Sequence, residues 1–185
     1  MPAYVPVRDA GIPGPDGRVM AGTVARITAY LLDMLLLGVL TIVGWEVAGR
    51  LLGPGIGMDA GPAAVADPVG ATIARLAVSG TISVLYHVGF WTGGRRTPGM
   101  RLLRLRVVRA ADAAPVQVPA AIIRWAVVEA PAFLATVAAL STLEQVALLS
   151  LVGQAWPLIL LLSVATSAHR LGLHDRAAGT AVVLD

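Results

Sequence analysis

Residues 93–109 read Gly-Gly-Arg-Arg-Thr-Pro-Gly-Met-Arg-Leu-Leu-Arg-Leu-Arg-Val-Val-Arg and contain six of the fourteen basic residues of the chain. Apolar stretches long enough to cross a bilayer lie on both sides of this segment. A short, strongly cationic loop between two membrane spans is retained on the cytoplasmic side of the membrane. The segment therefore predicts an integral membrane protein whose central loop is cytoplasmic.

The composition agrees with a membrane protein. Hydrophobic residues make up 57% of the 185 residues and charged residues only 14%, whereas about 25% of a typical soluble domain is charged. All the basic residues are Arg, which together with the abundance of Ala, Gly and Val indicates a bacterial source. The arginines flank apolar stretches, so we expect anionic phospholipid as their partner and no nucleic acid.

Four apolar stretches predict an all-α membrane fold, a four-helix transmembrane bundle with spans at residues 23–45, 69–91, 119–141 and 145–167. Each is close to the ~20 residues that a bilayer-spanning helix needs. We expect residues 1–22, rich in Pro and Gly, to form a flexible cytoplasmic tail, and residues 23–185 to form the transmembrane domain. Four spans and an internal central loop predict a multi-pass protein of the bacterial inner membrane with both termini in the cytoplasm.

The central loop has local signals of its own. Thr97-Pro98 is typical of a helix N-cap followed by a first-turn proline. Met100, Leu103 and Val107 then share a helical face, which predicts a short cytoplasmic amphipathic helix at the headgroup level. The basic residues expected to face lipid or a partner protein are Arg95, Arg96, Arg101, Arg104 and Arg106.

Two segments outside the spans are strand-like. Residues 105–109 and 179–184 are rich in β-branched side chains. We predict that they pair as a small cytoplasmic β element, and the alternative is that they remain two unpaired loops.

The apolar spans contain two acidic residues. Asp33 and Glu129 each lie about ten residues into a span, or ~15 Å along the helix, which predicts a position near the bilayer midplane. In one interpretation they form a buried acidic pair that handles a proton or a cation. In the other, they are neutralised by each other or by residues such as Arg75 and Tyr30, and only specify helix packing. Arg26 and Arg124, near the starts of the first and third spans, have the position of side chains that extend to the headgroups. Each is followed within its span by an acidic residue, Asp33 or Glu129.

Catalytic and metal-binding patterns are missing from the sequence. The chain has no cysteine, and no nucleophile elbow, phosphate-binding glycine loop or zinc-protease helix occurs. His169 and His174 are five residues apart, so they do not share a helical face well, and no third strong ligand is near in sequence. We therefore predict no enzyme activity, no catalytic residue, no metal site and no cofactor.

Three patches of sequence together resemble the RDD family of small bacterial membrane proteins. The patches are Arg26-Ile-Thr-Ala-Tyr30-Leu-Leu-Asp33, then Arg96-Thr97-Pro98-Gly99-Met100-Arg101-Leu-Leu-Arg104-Leu-Arg106-Val107-Val108, and finally His174-Asp175-Arg176-Ala-Ala-Gly179-Thr180-Ala-Val182-Val183. The resemblance extends from about residue 20 to the end of the chain. It implies that Arg26, Asp33 and Asp175 are the signature positions of the family.

The resemblance leaves two hypotheses about function. Some members of the family are linked to cation/proton exchange, which agrees with the interpretation of Asp33 and Glu129 as a buried proton or cation site. A transporting chain with four spans would then need to form a homo-oligomer. Other members look like accessory domains, which implies a non-transporting structural module that assembles with a membrane partner protein or binds anionic lipid.

The tail after the fourth predicted span contains the last signature position. We predict that Asp175 accepts hydrogen bonds or an ion pair from an arginine at the cytoplasmic interface, with Arg26 the first candidate and Arg96 or Arg101 the next. The reason is geometric, because the start of the first span and the tail should both lie at that interface. The alternative is an exposed, solvated aspartate at a helix end.

Overall fold

The computed structural model describes residues 12–14, 17–53, 56–57, 68–138 and 146–185. In chain order the elements are α1 (Thr23–Leu52), α2 (Pro68–Gly93), α3 (Pro98–Leu102), β1 (Leu105–Arg109), α4 (Val118–Ala138), α5 (Val146–Ala165), α6 (Leu173–Ala178) and β2 (Thr180–Leu184). The long helices α1, α2, α4 and α5 correspond to the four predicted apolar stretches. The four short elements α3, β1, α6 and β2 lie together at one end of the helices, and we call them the sheet layer.

Three helices, α1, α2 and α4, are long and apolar enough to cross a membrane. Many of their leucines face outward; Leu35 is 71% exposed and Leu51 is 77% exposed. Such an apolar outer surface is costly in water and is the expected surface of a helix in lipid. The prediction of a largely helical membrane fold is thus confirmed with three candidate spans. In α5 the apolar stretch Ala155–Ala165 is shorter, so the count of four spans stays a prediction.

Helix α1 continues past the predicted boundary at residue 45 to Leu52, and its distal end is fastened to α2. The indole Nε1 of Trp45 donates to the Arg75 carbonyl oxygen at 3.2 Å. The Arg75 guanidinium in turn donates to the carbonyl oxygens of Ile56 and Gly57 at 2.9 and 2.6 Å. Arg75 is therefore engaged with backbone at this end, and Asp33 and Glu129 are not among its hydrogen-bonding partners.

The two strand-like segments pair, as predicted. Strands β1 and β2 are antiparallel, with Leu105 opposite Leu184 and Arg109 opposite Thr180. The turn into β2 is made at Gly179, whose φ of 62° lies in the left-handed region that favours glycine. Val107, Val182 and Val183 are almost fully buried, so this small sheet is part of the core.

The segment before α1 is more ordered than the predicted flexible tail. Ala21 donates its amide hydrogen to the Val182 carbonyl oxygen at 2.9 Å, and Leu184 donates to Val19 at 2.9 Å. Met20 and Ala21 are 3% and 0% exposed. The physical reason is that β2 has a second edge whose backbone groups need partners, and residues 19–21 supply them. Residues 1–11, 15 and 16 of the predicted tail lie outside the described residues.

Helix α3 is shorter than its apolar periodicity suggests. The Thr97 side chain accepts the Met100 amide hydrogen at 3.3 Å, which confirms the N-cap. The helix then ends at Leu102, because Arg104 adopts a left-handed turn with a φ of 54°. Val107 consequently lies in β1 and not on the face of α3, although Met100, Leu103 and Val107 all contact one apolar cluster.

That apolar cluster joins the ends of several helices. It contains Ala21 from the segment before α1 and Ala29 from the first turns of α1. Trp91 from the end of α2, Ala121 from the start of α4 and Val182 from β2 complete it. Because α1 and α4 begin at the sheet layer and α2 ends there, successive helices run in opposite directions. The core of the described chain is thus concentrated at this junction.

Gly99 supplies a test of how closely α3 approaches α1. A Cβ atom at Gly99 would lie 2.3 Å from the Ala29 carbonyl oxygen, so Gly99→Ala should push α3 away and lower the free energy of unfolding by about 1–3 kcal/mol. Gly89→Ala is the matched control, since no heavy atom lies within 4 Å of its added Cβ. Thermal unfolding of both variants in one detergent measures the difference, and equal melting temperatures would contradict this close packing.

Candidate functional site

Asp175 is the centre of the site. Its side chain is 0% exposed and accepts hydrogen bonds from four directions. Arg26 Nη1 donates at 2.8 Å, the Gly172 amide at 3.1 Å and Thr180 Oγ1 at 3.4 Å. The fourth donor is Arg124 Nη1, which also forms an ion pair with the carboxylate. The prediction that Arg26 pairs with Asp175 is confirmed, and the alternative of a solvated aspartate is wrong.

Local sequence determines where this carboxylate lies. Helix α6 begins after Gly172, and Asp175 occupies its third position, from which the side chain turns back to accept the Gly172 amide hydrogen. A carboxylate in the first turn also interacts favourably with the positive end of the helix. The helix ends at Gly179, which directs the chain into β2. Contacts within α6 and its N-cap therefore orient the Asp175 carboxylate independently of the arginines.

The two arginines connect Asp175 to different parts of the fold. Arg26, on α1, also donates to the Val182 carbonyl oxygen of β2 at 3.1 Å. Arg124, on α4, also donates to Thr180 Oγ1 at 2.6 Å, and its guanidinium lies 5.0 Å from the centre of the Trp91 ring. One carboxylate therefore joins α1, α4, α6 and β2.

The charged side chains of this cluster are buried, and their opposite charges stabilise one another. Burial raises the pKa of the Asp175 carboxyl, but the charges of Arg124 and Arg26 outweigh burial and hold that pKa below its usual range. The carboxylate therefore stays ionised at neutral pH. A buried ion pair contributes little when intact, because desolvation opposes the attraction, but removal of one partner leaves an uncompensated buried charge.

Arg124 is the functional residue that sequence reasoning missed. Its position near the start of a span suggested a side chain that extends to the headgroups, as for Arg26. The signal that could have found it is the parallel placement of both arginines near the start of a span, each followed by an acidic residue. The other candidates are engaged elsewhere, since Arg96 pairs with Asp185 at 2.7 Å and Arg101 lies over the Phe90 ring.

Asp33 forms a second buried cluster, with the start of α3. The Tyr86 hydroxyl donates to one carboxylate oxygen at 2.6 Å and the Gly99 amide donates to the same oxygen at 2.9 Å. Thr97 Oγ1 donates to the other oxygen at 2.5 Å. Asp33 is 4% exposed. The carboxylate therefore fastens the beginning of α3 to α1 and α2.

The predicted pair of Asp33 and Glu129 is not formed within the described part of the chain. All the hydrogen bonds of Asp33 go to Tyr86, Thr97 and Gly99, and Glu129 interacts electrostatically with Tyr30 on α1. The physical reason is that the central loop folds back against α1. Its Thr97 hydroxyl and Gly99 amide therefore occupy the Asp33 carboxylate.

The five arginines of the central loop that were predicted to face lipid or a partner protein do not form one uniform surface. Arg96 and Arg106 pair with Asp185, and Arg95 is half-buried with a left-handed backbone (φ 58°). Arg101 and Arg104 are exposed. These last two are the members of the set with the best access to an external anion.

A cavity of about 320 Å³ lies beside the Asp175 cluster. Its polar wall contains Arg26 and Arg124, and its apolar wall contains Leu31 of α1 together with Leu158 and Leu161 of α5. Among the described residues no group of three or more His, Cys, Asp or Glu side chains is placed to hold a metal ion. The polar wall of the cavity offers hydrogen-bond donors and positive charge.

In the comparison with known proteins, one family model matches, and the match covers most of the chain. The model of the RDD family matches residues 20–179, a range that includes all three predicted signature positions. No curated protein and no solved structure matches the chain significantly.

Removal of the central charge should loosen the tail. Asp175→Asn leaves Arg26 and Arg124 buried without a carboxylate, and we expect a loss of about 3–5 kcal/mol in the free energy of unfolding. Hydrogen exchange of the β2 amides and limited proteolysis report the opening of the tail directly. Asp112→Asn, which breaks the exposed pair between Arg109 and Asp112, is the control and should change little; equal protection of β2 in both variants would refute the role of Asp175.

His174 predicts a dependence of stability on pH. Its Nε2 lies 3.6 Å from Asp175; burial and the charge of Arg124 lower the pKa of His174 to about 4. The unfolded chain binds this proton near pH ~6.5 while the folded chain does not, so stability should fall as pH drops below ~6.5, by at most about 1.4 kcal/mol per unit.

The measurement is thermal unfolding of wild type and His174→Gln at several pH values between about 7.5 and 5. The variant should show a shallower decline, because it lacks the titrating group. Asp175 does not contribute to the difference, since its lowered pKa keeps its stabilisation complete above ~3.9. Parallel declines would rule out the assigned role of His174.

Proposed function

This chain belongs to the RDD family, and from that premise we propose that it is a non-enzymatic structural or accessory module of the bacterial inner membrane. Its membrane helices hold the sheet layer at the cytoplasmic interface, where the layer contacts anionic lipid and a partner protein. The observation that supports the proposal is the hydrogen bonding of the two signature carboxylates. Asp33 accepts three hydrogen bonds and Asp175 accepts four, so neither is available to exchange an ion.

The proposed topology has four spans, with the sheet layer and both termini in the cytoplasm. It is supported by the arginine-rich central loop, which the positive-inside rule places there. It is supported further by the alternating direction of the helices, since α1 and α4 start at the sheet layer and α2 ends at it. Helix α5 is the fourth span in this proposal.

The lipid-binding surface is proposed to be the exposed corner formed by α3 and the turn after it. Leu102 is 73% exposed and lies between the exposed side chains of Arg101 and Arg104. An apolar side chain flanked by arginines matches a bilayer interface, with Leu102 in the acyl region and the guanidinium groups at phosphates. Each such arginine contributes roughly 1 kcal/mol near an anionic surface.

Cation/proton transport by a homo-oligomer is the second candidate. Glu129 is the residue that favours it, because this carboxylate lies in an apolar helix with no hydrogen-bond or ion-pair partner in the described part of the chain. If the protein exchanges cations for protons, Glu129→Gln should abolish cation-dependent proton flux in proteoliposomes. Wild-type proteoliposomes without flux would support the module and eliminate transport.

The exposed corner can be tested with a double substitution. Arg101→Gln with Arg104→Gln should remove about 2 kcal/mol of attraction to anionic lipid, a loss of roughly thirtyfold in affinity. Lipid analysis of the protein in nanodiscs with mixed anionic and neutral lipids measures the enrichment, and co-purification from membranes measures partner binding.

Arg50→Gln, in the last turn of α1 at the opposite end, is the matched control and should retain both properties. Unchanged lipid enrichment and unchanged co-purification in the double variant would overturn the proposed role of this corner.

A further inference from the structure

The cavity beside the Asp175 cluster has two chemically different walls. One wall belongs to the buried charge cluster and contains Arg26, Trp91 and Arg124. The other is apolar, with Leu31 of α1 facing Leu158 of α5. Leu31 and Leu158 are 56% and 61% exposed, so this side continues into the lipid-facing surface. A volume of about 320 Å³ falls at the small end of known ligand sites, roughly 300–1,000 Å³.

The polar wall contains donors that lack acceptors. The N–H groups of Arg26 Nε, Arg124 Nε and Trp91 Nε1 are buried, and none has a hydrogen-bond partner in the described part of the chain. Arg124 and Trp91 are only 3% and 4% exposed. Unpaired buried donors are rare, because each costs about 1–3 kcal/mol. Their concentration around one cavity indicates that an acceptor-rich group belongs there.

The charge of the wall indicates that this group is an anion. Arg26 and Arg124 share the single carboxylate of Asp175, which leaves one positive charge in excess. A guanidinium nitrogen of Arg170 also lies 3.1 Å from the position of a Cβ on Gly22, near the start of α1. Asp33 contributes to the cavity wall, but Tyr86, Thr97 and Gly99 already donate to its oxygens. Arg26, Arg124 and the nearby Arg170 together carry three positive charges against the two carboxylates of Asp33 and Asp175, and the remaining positive charge attracts an added anion.

We propose that this cavity binds the phosphate-bearing headgroup of an anionic membrane lipid. The headgroup oxygens accept hydrogen bonds from Arg26, Arg124 and Trp91, and one acyl chain extends between Leu31 and Leu158. This internal site is distinct from the exposed corner at Arg101 and Arg104. It shares with the proposed function the location in a membrane and the anionic class of lipid, but none of the residues of that corner.

The binding test uses the purified full-length protein in a neutral detergent. Native mass spectrometry and thermal unfolding are measured with phosphatidylglycerol, with phosphatidylcholine and with inorganic phosphate. Phosphatidylglycerol alone should bind and raise the melting temperature. Equal stabilisation by phosphate would assign the site to a free anion, and equal stabilisation by phosphatidylcholine would remove the need for an anionic headgroup; either result overturns the proposal.

The contribution of each cavity wall to lipid binding is tested with one substitution in the wall and one matched control substitution outside it. Trp91→Phe removes one headgroup donor but keeps a ring beside Arg124, and it should weaken phosphatidylglycerol binding about tenfold. Trp45→Phe, at the far end of α1, should leave binding unchanged. Leu31→Trp fills the apolar side without touching the donors and should abolish binding, whereas Leu35→Trp, an exposed position outside the cavity wall, should not.

The remaining outcomes separate this site from the alternatives. If Leu31→Trp changes the oligomeric state and leaves lipid binding intact, a second copy of the chain occupies the apolar side, and the proposal is wrong. If the variant with Arg101→Gln and Arg104→Gln loses phosphatidylglycerol binding while Trp91→Phe retains it, the lipid binds at the exposed corner and not in the cavity.

Discussion

The fold depends on the buried carboxylate of Asp175, to which Arg26 and Arg124 both donate. These arginines come from different membrane helices, and each also donates to the second strand, through the Val182 carbonyl or the Thr180 hydroxyl. Asp175 therefore determines how the tail lies on the helices, and this in turn places β2 where β1 and residues 19–21 can pair with it. A charge buried this deeply is tolerated only because its partners are complete.

Asp33 performs a similar task for α3. Its oxygens accept hydrogens from Thr97 and from the Gly99 amide, so α3 is attached to α1 just as α6 is attached through Asp175. Both signature aspartates thus connect a short element outside the long helices to the helices themselves. Arg26, Asp33 and Asp175, the three predicted signature positions, are thus all engaged in contacts between the long helices and the sheet layer.

The sequence predicted the elements better than their contacts. Apolar length indicated the long helices, and β-branched runs indicated both strands, because these signals are local and strong. The pairing of Arg26 with Asp175 was also accessible, since topology places both at one interface. The partners of Asp33 could not be predicted from the sequence, because they depend on how the central loop folds back. Arg124 lies 51 residues from Asp175, and the sequence around it does not distinguish a headgroup arginine from one that turns inward. Its placement parallel to that of Arg26 was the one signal for a shared role.

A double-mutant cycle on Arg124 and Asp175 tests the central claim most directly. Arg124→Met, Asp175→Leu and the combined variant are compared with wild type by unfolding in one detergent. If the pair holds the sheet layer on the helices, the two substitutions together should cost less than the sum of each alone, with a coupling energy of at least about 1 kcal/mol. Additive effects, within about 0.5 kcal/mol, would contradict the account.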